Sequence, residues 1–169
     1  MMKKIGMFYG TDTVKAALVA KEIKEAFGDA EIDVVSVESA AGKEFEQYDN
    51  LIVGAATWFD GELPSYWDEL VPELDSLVLK GKKVAVFGLG DQVNYPENFV
   101  DGIGILADFM VSSGATLVGK TSTEGYLFEQ SRALRDGQFL GLAIDIENQS
   151  SQTHQRIKDW VEQLRKEFN

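Results

Sequence analysis

The sequence contains no cysteine and only one histidine among its 169 residues. Without cysteine the chain has no disulfide framework, no thiol nucleophile and no cysteine-held iron–sulfur cluster. With one histidine, it has no catalytic or metal site that needs two imidazoles. These absences leave chemistry based on backbone amides, hydroxyls, carboxylates, lysines and aromatic rings.

Positive charge is also scarce, because 16 Lys and Arg against 28 Asp and Glu give a formal net charge of −12. Nucleic acids and anionic membranes need basic surfaces, so neither is an expected partner. The acidity favours basic protein partners or serves solubility alone. No apolar run approaches the ~18–20 residues that span a bilayer, and the one after Lys3 and Lys4 is too short for a signal peptide. We therefore expect a cytoplasmic protein.

Short apolar runs alternate with helix-period patterns along the chain. The runs predict strands over 4–9, 32–37, 51–56, 83–88 and 115–119. The periodic patterns predict helices over 16–27, 63–74 and 100–111, a short helical stretch over 42–48, and a last helix capped by Thr153. Such alternation is typical of parallel βαβ units with both sheet faces covered. We expect one domain over residues 1–169, an α/β doubly wound sandwich with a five-stranded parallel sheet.

One segment interrupts this rhythm. Residues 120–138 are polar and show no clear strand or helix, whereas residues 139–143 read as strand again. The pattern predicts an insertion that splits the fifth strand. A loop of that length is either functional and partner-facing or a tolerated surface insertion, and both interpretations stay open.

In open α/β sheets, ligands bind beyond the carboxyl ends of the strands, which directs attention to three loops. The first runs from Thr11 to Ala16 and combines hydroxyls with a helix N-terminus, which suits a phosphate or simple helix capping. It is not a Walker loop, because Lys15 stands where that motif needs a second glycine.

The other two loops carry aromatic residues. Trp58 and Phe59 follow the third strand and either extend the core or form a wall for a flat ligand. Tyr95 follows the fourth strand, and Pro96 biases it towards extended backbone. A Tyr opposite a Trp makes an aromatic slot. A phosphate cradle beside such a slot points to flavin mononucleotide (FMN).

At this point the sequence resembles the long-chain flavodoxins over nearly its whole length, from about residue 3 to 168. The residues that carry the resemblance are 4–11, Thr57-Trp58, 61–63, 87–92, Tyr95, 97–99, 122–126 and the stretch 141–150. The flavodoxin fold has strand order 2-1-3-4-5, so the resemblance implies this order for the sheet.

The resemblance implies a soluble, low-potential one-electron carrier with non-covalently bound FMN. The bound flavin would alternate between its semiquinone and hydroquinone states. Trp58 and Tyr95 are expected to sandwich the isoalloxazine, and the Phe59–Asp60 peptide to turn towards flavin N5 on reduction. The implied cofactor-binding residues are Thr11, Asp12, Thr13, Val14, Lys15, Ala16, Thr57, Trp58, Phe59, Asp60, Gly61, Leu89, Gly90, Asp91, Tyr95 and Asn98.

Acidic residues are expected around the ring, namely Asp60, Glu62, Asp91 and Glu97. Their charge would oppose the anionic, fully reduced flavin in a partly dry slot and so lower its potential.

Two residues depart from the family's phosphate loop. Val14 replaces a glycine and Ala16 replaces a hydroxyl residue. A lost hydrogen bond to a charged phosphate weakens binding roughly 10–150-fold. One alternative is therefore a regulatory or binding module that binds FMN weakly or not at all. A small FMN-dependent reductase is a separate alternative.

The absence of a dinucleotide-binding motif bears on the expected partners. Residues 88–93 do not complete a dinucleotide fingerprint, because Val93 replaces the third glycine. A separate, basic-faced donor such as a flavodoxin/ferredoxin–NADP reductase is therefore implied, together with acceptor enzymes. We expect a monomeric electron-transfer protein without substrate turnover of its own.

Overall fold

The computed structural model describes residues 3–10, 14–28, 30, 32–57 and 61–169. The part of the predicted cofactor site that lies outside these residues comprises Thr11, Asp12, Thr13, Trp58, Phe59 and Asp60.

The described elements alternate as the sequence predicts. In chain order the strands are β1 (Ile5–Tyr9), β2 (Ile32–Ser36), β3 (Asn50–Ala56), β4 (Lys83–Leu89), β5 (Thr116–Val118), β6 (Thr121–Ser122), β7 (Leu134–Arg135), β8 (Gln138–Phe139) and β9 (Leu142–Ile144). The helices are α1 (Val14–Phe27), α2 (Ser65–Leu74), α3 (Asp101–Ser112) and α4 (Ile146–Glu167), with a 3-10 helix over Gly42–Gln47.

The main sheet has the strand order β2-β1-β3-β4-β5, and every pair in it is parallel. This confirms the predicted doubly wound architecture. Because the order reverses direction beside β1, the carboxyl ends of β1, β3 and β4 lie next to one another. Any ligand that uses this fold's usual site binds there.

Side chains that alternate along each strand fill two separate cores. Phe8 of β1 packs with α2 and α3, whereas its neighbour Met7 packs with α1 and α4. The same alternation places Val86 on the first side and Phe87 on the second. Both faces of the sheet are therefore dry, which explains why its strands are apolar throughout.

The fifth strand is split, as the sequence predicts. Strand β5 pairs with residues 83–85 of β4, and β9 pairs with residues 87–89 of the same strand. The inserted segment, residues 119–141, lies between these two pieces. It contains a small antiparallel sheet of order β6-β8-β7 that the sequence does not predict. Residues 139–143 are consequently not one strand, because Phe139 belongs to this small sheet and Leu142 to the main one.

The start of α4 corrects a second prediction. The helix begins at Ile146, and its N-cap is Asp145, whose Oδ1 accepts a hydrogen bond from Asn148 N at 3.0 Å. Thr153 lies inside the helix and caps nothing there. The polar residues after Asp145 conceal the first turns, and the backbone at Gln149 (φ −135°) interrupts their periodicity.

Candidate functional site

A cavity of about 210 Å³ opens at the carboxyl ends of β3 and β4. Its lining is formed by Lys15, Ala56, Thr57, Leu89, Gly90, Asp91, Tyr95, Ile146 and Glu147. Residues from the first turn of α1, the ends of two strands, one loop and the first turn of α4 thus meet at a single point. Most of them come from the three loops that the sequence singles out.

The first turn of α1 supplies a cation to this cavity. The ammonium of Lys15 forms an ion pair with the carboxylate of Glu147, and each side chain is about half exposed. This pair spans the space between the N-termini of α1 and α4. Since helix N-termini attract anions, Lys15 adds a mobile positive charge where a phosphate is favoured.

The two unusual residues of this turn have different surroundings. Val14 begins α1 and is 74 % exposed, whereas Ala16 is fully buried in the core that α1 forms with the sheet. Among the described residues, positive φ outside glycine occurs at Val100 and Asp136, so Val14 enters the helix without that strain. The backbone here therefore tolerates a β-branched residue.

Thr57 fixes the ends of the two central strands. Its backbone N–H donates to Leu89 O at 3.3 Å, and its Oγ1 accepts a hydrogen bond from Gly102 N at 3.0 Å. Accepting does not use the O–H hydrogen, which remains to donate. Thr57 thereby links β3, β4 and the first turn of α3 at the edge of the cavity.

Asp91 shapes the loop between β4 and α3. Its carboxylate accepts hydrogen bonds from Val93 N (3.1 Å), Asn94 N (3.0 Å), Asn94 Nδ2 (2.8 Å) and Asn148 Nδ2 (2.8 Å). Burial raises the pKa of this carboxyl, but the hydrogen bonds from Asn94, Asn148 and Val93 outweigh it and leave the pKa lowered. Asp91 is therefore ionised and rigidly held beside the cavity.

Tyr95 is presented on the same turn. Its backbone N–H donates to Asp91 O at 2.9 Å, and its side chain is 56 % exposed. An aromatic ring left half in water beside a cavity is a ready surface for stacking. Tyr95 thus presents a flat apolar face where a planar ligand can lie.

Gly61 and Asn98 support this region but do not belong to the cavity lining described above. Gly61 has a φ of +91°, and a Cβ there would lie 2.5 Å from Asp101 Oδ2. Asn98 Nδ2 donates to the same carboxylate oxygen at 3.3 Å. These residues hold the start of α3 close to the loop that follows β3.

The cavity includes residues that the sequence reading did not assign to the site, namely Ala56, Ile146 and Glu147. The last two follow β9, which the inserted segment separates from β5 by more than twenty positions. Their signal was the stretch 141–150, which carried part of the family resemblance without any role attached to it.

Acidic side chains occur in the cavity lining and on the neighbouring loops. Glu62 and Glu97 are exposed on the loops after β3 and β4, while Asp91 and Glu147 line the cavity itself. In the part of the chain that the structure describes, no three His, Asp or Glu residues group closely enough to hold a metal. Lys15, the Thr57 hydroxyl and the Tyr95 ring suit an organic anion with a planar part.

Other cavities formed by described residues lie away from this site. One of about 470 Å³ opens between α1 and α4, where His154, Glu22 and Arg165 are among the lining residues. It contains none of the predicted site residues.

Over the described residues, no helix combines the length and the apolar character required to cross a membrane.

Known proteins resemble this chain in both sequence and fold. The family model described as flavodoxin matches residues 7–160. Flavodoxins of a Nostoc species and of Trichodesmium erythraeum are 48 % identical over 168 residues and 46 % identical over 169, with 99 % of each chain covered. A crystal structure of Fusobacterium nucleatum flavodoxin bound to flavin mononucleotide superposes with a TM-score of 0.95 at 37 % identity, covering 99 % of this chain and 100 % of that one. The chain belongs to the flavodoxin family.

Proposed function

We propose that this protein is a one-electron carrier that binds FMN non-covalently at the cavity between β3, β4 and α4. The observation that carries the proposal is the convergence of Lys15, Asp91 and the half-exposed Tyr95 ring at the carboxyl ends of the strands. The FMN bound by the Fusobacterium nucleatum relative supports the same cofactor. When bound, FMN supplies an isoalloxazine ring that accepts and donates single electrons.

The residues present suit such a ligand. The Tyr95 ring offers one stacking face, and the family resemblance assigns the other face to Trp58. Lys15 and the N-terminus of α1 offer positive charge for the phosphate, with the Thr57 hydroxyl as a further donor. The remaining proposed contacts are Thr11, Asp12, Thr13, Val14, Ala16, Phe59, Asp60, Gly61, Leu89, Gly90, Asp91 and Asn98.

Acidic residues near the cavity should lower the reduction potential of a bound flavin. Glu62, Glu97 and Glu147 carry negative charge on the loops and helix around the cavity. They disfavour adding negative charge to a bound ring, so the lower of the two potentials falls. The variant that replaces all three with Gln raises that potential, on the order of 50 mV. An unchanged potential in this variant contradicts the electrostatic argument.

Partners and setting follow from the acidity. We propose a cytoplasmic monomer of one domain that exchanges electrons with basic-faced proteins, such as a flavodoxin/ferredoxin–NADP reductase and acceptor enzymes. Charge complementarity speeds encounter roughly 10–10³-fold and fades with salt. The rate of reduction by such a reductase should therefore fall as ionic strength rises.

The visible spectrum of the purified protein during stepwise reduction tests the proposal. We expect a yellow protein, two separate one-electron stages, and no oxidation of NADPH by the protein alone. Isothermal titration of the apoprotein should show saturable FMN binding. Absence of binding at micromolar FMN refutes the carrier function and leaves the regulatory module, whereas NADPH oxidation by the protein alone indicates a reductase.

A further inference from the structure

We infer that Asp145 is a positioning residue, whose buried carboxylate fixes the loop that carries Asp91 and Tyr95 against helix α4. The inference deepens the proposed function, because that loop forms one side of the FMN cavity. Asp145 itself does not line the cavity. It acts through Gln92 and Asn148, which contact it directly.

The surroundings of Asp145 are unusual for a carboxylate. The residue is fully buried, with a relative exposure of 0 %. It accepts hydrogen bonds from Gln92 N (3.1 Å), Gln92 Nε2 (2.8 Å), Asn148 N (3.0 Å) and Asn148 Nδ2 (2.9 Å). None of the ion pairs formed by described residues includes it. Among the described residues, the hydrogen-bond partners of this carboxylate are neutral amide groups.

The same hydrogen bonds join three separate parts of the chain. Gln92 belongs to the loop after β4, and its Oε1 accepts from Leu127 N of the inserted segment at 2.6 Å. Asn148 belongs to the first turn of α4, and its Nδ2 also donates to Asp91 Oδ1 at 2.8 Å. One carboxylate thus lies at the centre of a network that connects the loop, the insertion and the helix.

This network sets the distance between two sides of the cavity. Asp91 and Tyr95 lie on one side, and Ile146 and Glu147 lie on the other. One path between the two sides runs through Gln92, Asp145 and Asn148, and a second runs directly from Asn148 Nδ2 to Asp91 Oδ1. If the junction loosens, fewer contacts hold the loop and the helix together, and a ligand that contacts both must order them on binding.

Only a carboxylate satisfies this junction. An ionised carboxylate accepts at both oxygens, whereas an asparagine amide turns an NH₂ group towards one set of donors. In Asp145→Asn, an NH₂ group in place of Oδ2 removes the acceptor of both Gln92 donors, and one in place of Oδ1 removes the acceptor of Asn148 N, without any change in side-chain size. Leaving buried donors unpaired is costly, because no water replaces the lost partner.

A double-mutant cycle tests the inference. The variants are D145N, Q92E and D145N/Q92E, with Asp136→Asn as the matched control, since Asp136 is exposed and Asn also tolerates its positive φ of 53°. Q92E alone sets two carboxylates face to face. In the double variant the amide introduced by D145N donates to the new carboxylate, which still accepts from Leu127 N, so part of the junction is restored.

Three measurements read the cycle. The unfolding temperature of the apoprotein should fall by about 5 °C in each single variant. In the double variant it should fall by less than the sum of the two single decreases. Amide hydrogen exchange at Leu127 and Asn148 should accelerate in D145N, while that of Val86 in β4 stays unchanged. FMN affinity should fall about 10-fold in D145N and recover in part in the double variant. The potential of the first reduction step should shift in D145N and likewise recover in part in the double variant.

The results of these measurements either support or refute the positioning role of Asp145. Additive effects of D145N and Q92E, or an unchanged FMN affinity in a folded D145N, overturn the positioning role. Should D145N fail to fold, Gln92→Met tests the same junction with the Asp145–Asn148 contacts kept, and an FMN affinity equal to that of the unsubstituted chain refutes it. If the unsubstituted chain binds no FMN, the proposed function fails, while unfolding and exchange of the apoproteins still test the coupling.

Discussion

The guanidinium carbon of Arg156 lies 4.0 Å from the centre of the Tyr126 ring, which places a cation–π contact between α4 and the inserted segment. The Tyr126 hydroxyl also donates to Ala143 O at 2.6 Å, and its ring meets that of Phe139 edge-on at 5.1 Å. The inserted segment is therefore anchored to both α4 and β9 through one side chain.

Tyr126 makes the stability of the protein depend on alkaline pH. Burial raises the pKa of its hydroxyl to about 12, Arg156 opposes this rise, and Asp145 adds to it. The unfolded chain releases the proton near the ordinary value of 10.0, so the folded state binds more protons between those values. The contribution of this group to stability is thus constant and fully present below about pH 10, and it is lost as the pH rises from 10 to about 12. Urea unfolding at pH 9, 10.5 and 12 measures the loss, on the order of 2–3 kcal/mol.

The control is Tyr126→Phe, which removes the ionisable group. We expect it to lower stability by about 1 kcal/mol at neutral pH, because the hydrogen bond to Ala143 is lost. The alkaline slope should shrink without vanishing, since burial also raises the pKa of Tyr48. A slope identical to that of the unsubstituted protein contradicts the assignment to Tyr126.

Asn50 joins segments that are far apart in the sequence, and its removal should destabilise the fold. The side chain is fully buried, its Nδ2 donates to Lys3 O (3.2 Å) and Asn169 O (3.1 Å), and its Oδ1 accepts from Asn169 N (2.8 Å). Asn50→Ala removes these three hydrogen bonds and should cost roughly 2–4 kcal/mol in urea unfolding. Gln152→Ala, at an exposed position on α4, should change stability by less than about 0.5 kcal/mol. Equal effects of the two variants would show that the Asn50 contacts contribute little.

The sequence predicts the main sheet well for a physical reason. Strands β1, β3 and β4 are covered on both faces, so they are apolar without interruption and easy to recognise. The strands of the inserted segment span two residues each, which is too short for any alternation to show. Val111 has the period of a buried helical residue yet is 49 % exposed, because the helix turns that position away from the core.

The site was predictable only in part. Tyr95 and Asp91 follow a recognisable strand, and topology places such loops at a ligand site. Ile146 and Glu147 reach the cavity because β9 pairs with the end of β4, a long-range contact that no local pattern encodes. The role inferred for Asp145 depends on its hydrogen bond to Gln92, which is 53 positions away in the sequence. Such a contact can be recognised only in the folded structure.

A glycine in α3 permits the inserted segment to approach that helix. A Cβ on Gly104 would lie 2.3 Å from Arg132 O and 3.0 Å from Ala133 N, both backbone atoms. Although alanine is the better helix former by about 1 kcal/mol, Gly104→Ala should lower stability by about 1–3 kcal/mol because the backbone must shift. Limited proteolysis should then cut within residues 119–141 faster than in the unsubstituted protein. Val111→Ala is the control in the same helix, and equal cleavage in both variants contradicts the close approach.

Lys15 and Glu147 should have opposite effects on cofactor affinity. In the structure the two side chains pair with each other at the cavity, so a ligand phosphate competes with Glu147 for the ammonium. Lys15→Gln removes a charged donor and should weaken FMN binding about 10-fold. Glu147→Gln removes both the competitor and a like charge, and should tighten FMN binding roughly threefold, an effect that added salt reduces.

Riboflavin provides the matched ligand for this test, because it has the same ring and lacks the phosphate. Isothermal titration should show riboflavin affinities within about twofold of one another for the unsubstituted protein, Lys15→Gln and Glu147→Gln, because an exposed charge contributes little without its ionic partner. A loss of riboflavin binding as large as the loss of FMN binding would mean that Lys15 acts by shaping the cavity. Opposite shifts for FMN, with riboflavin unaffected, would assign Lys15 to the phosphate and show that its ion pair with Glu147 tunes how tightly the protein holds its cofactor.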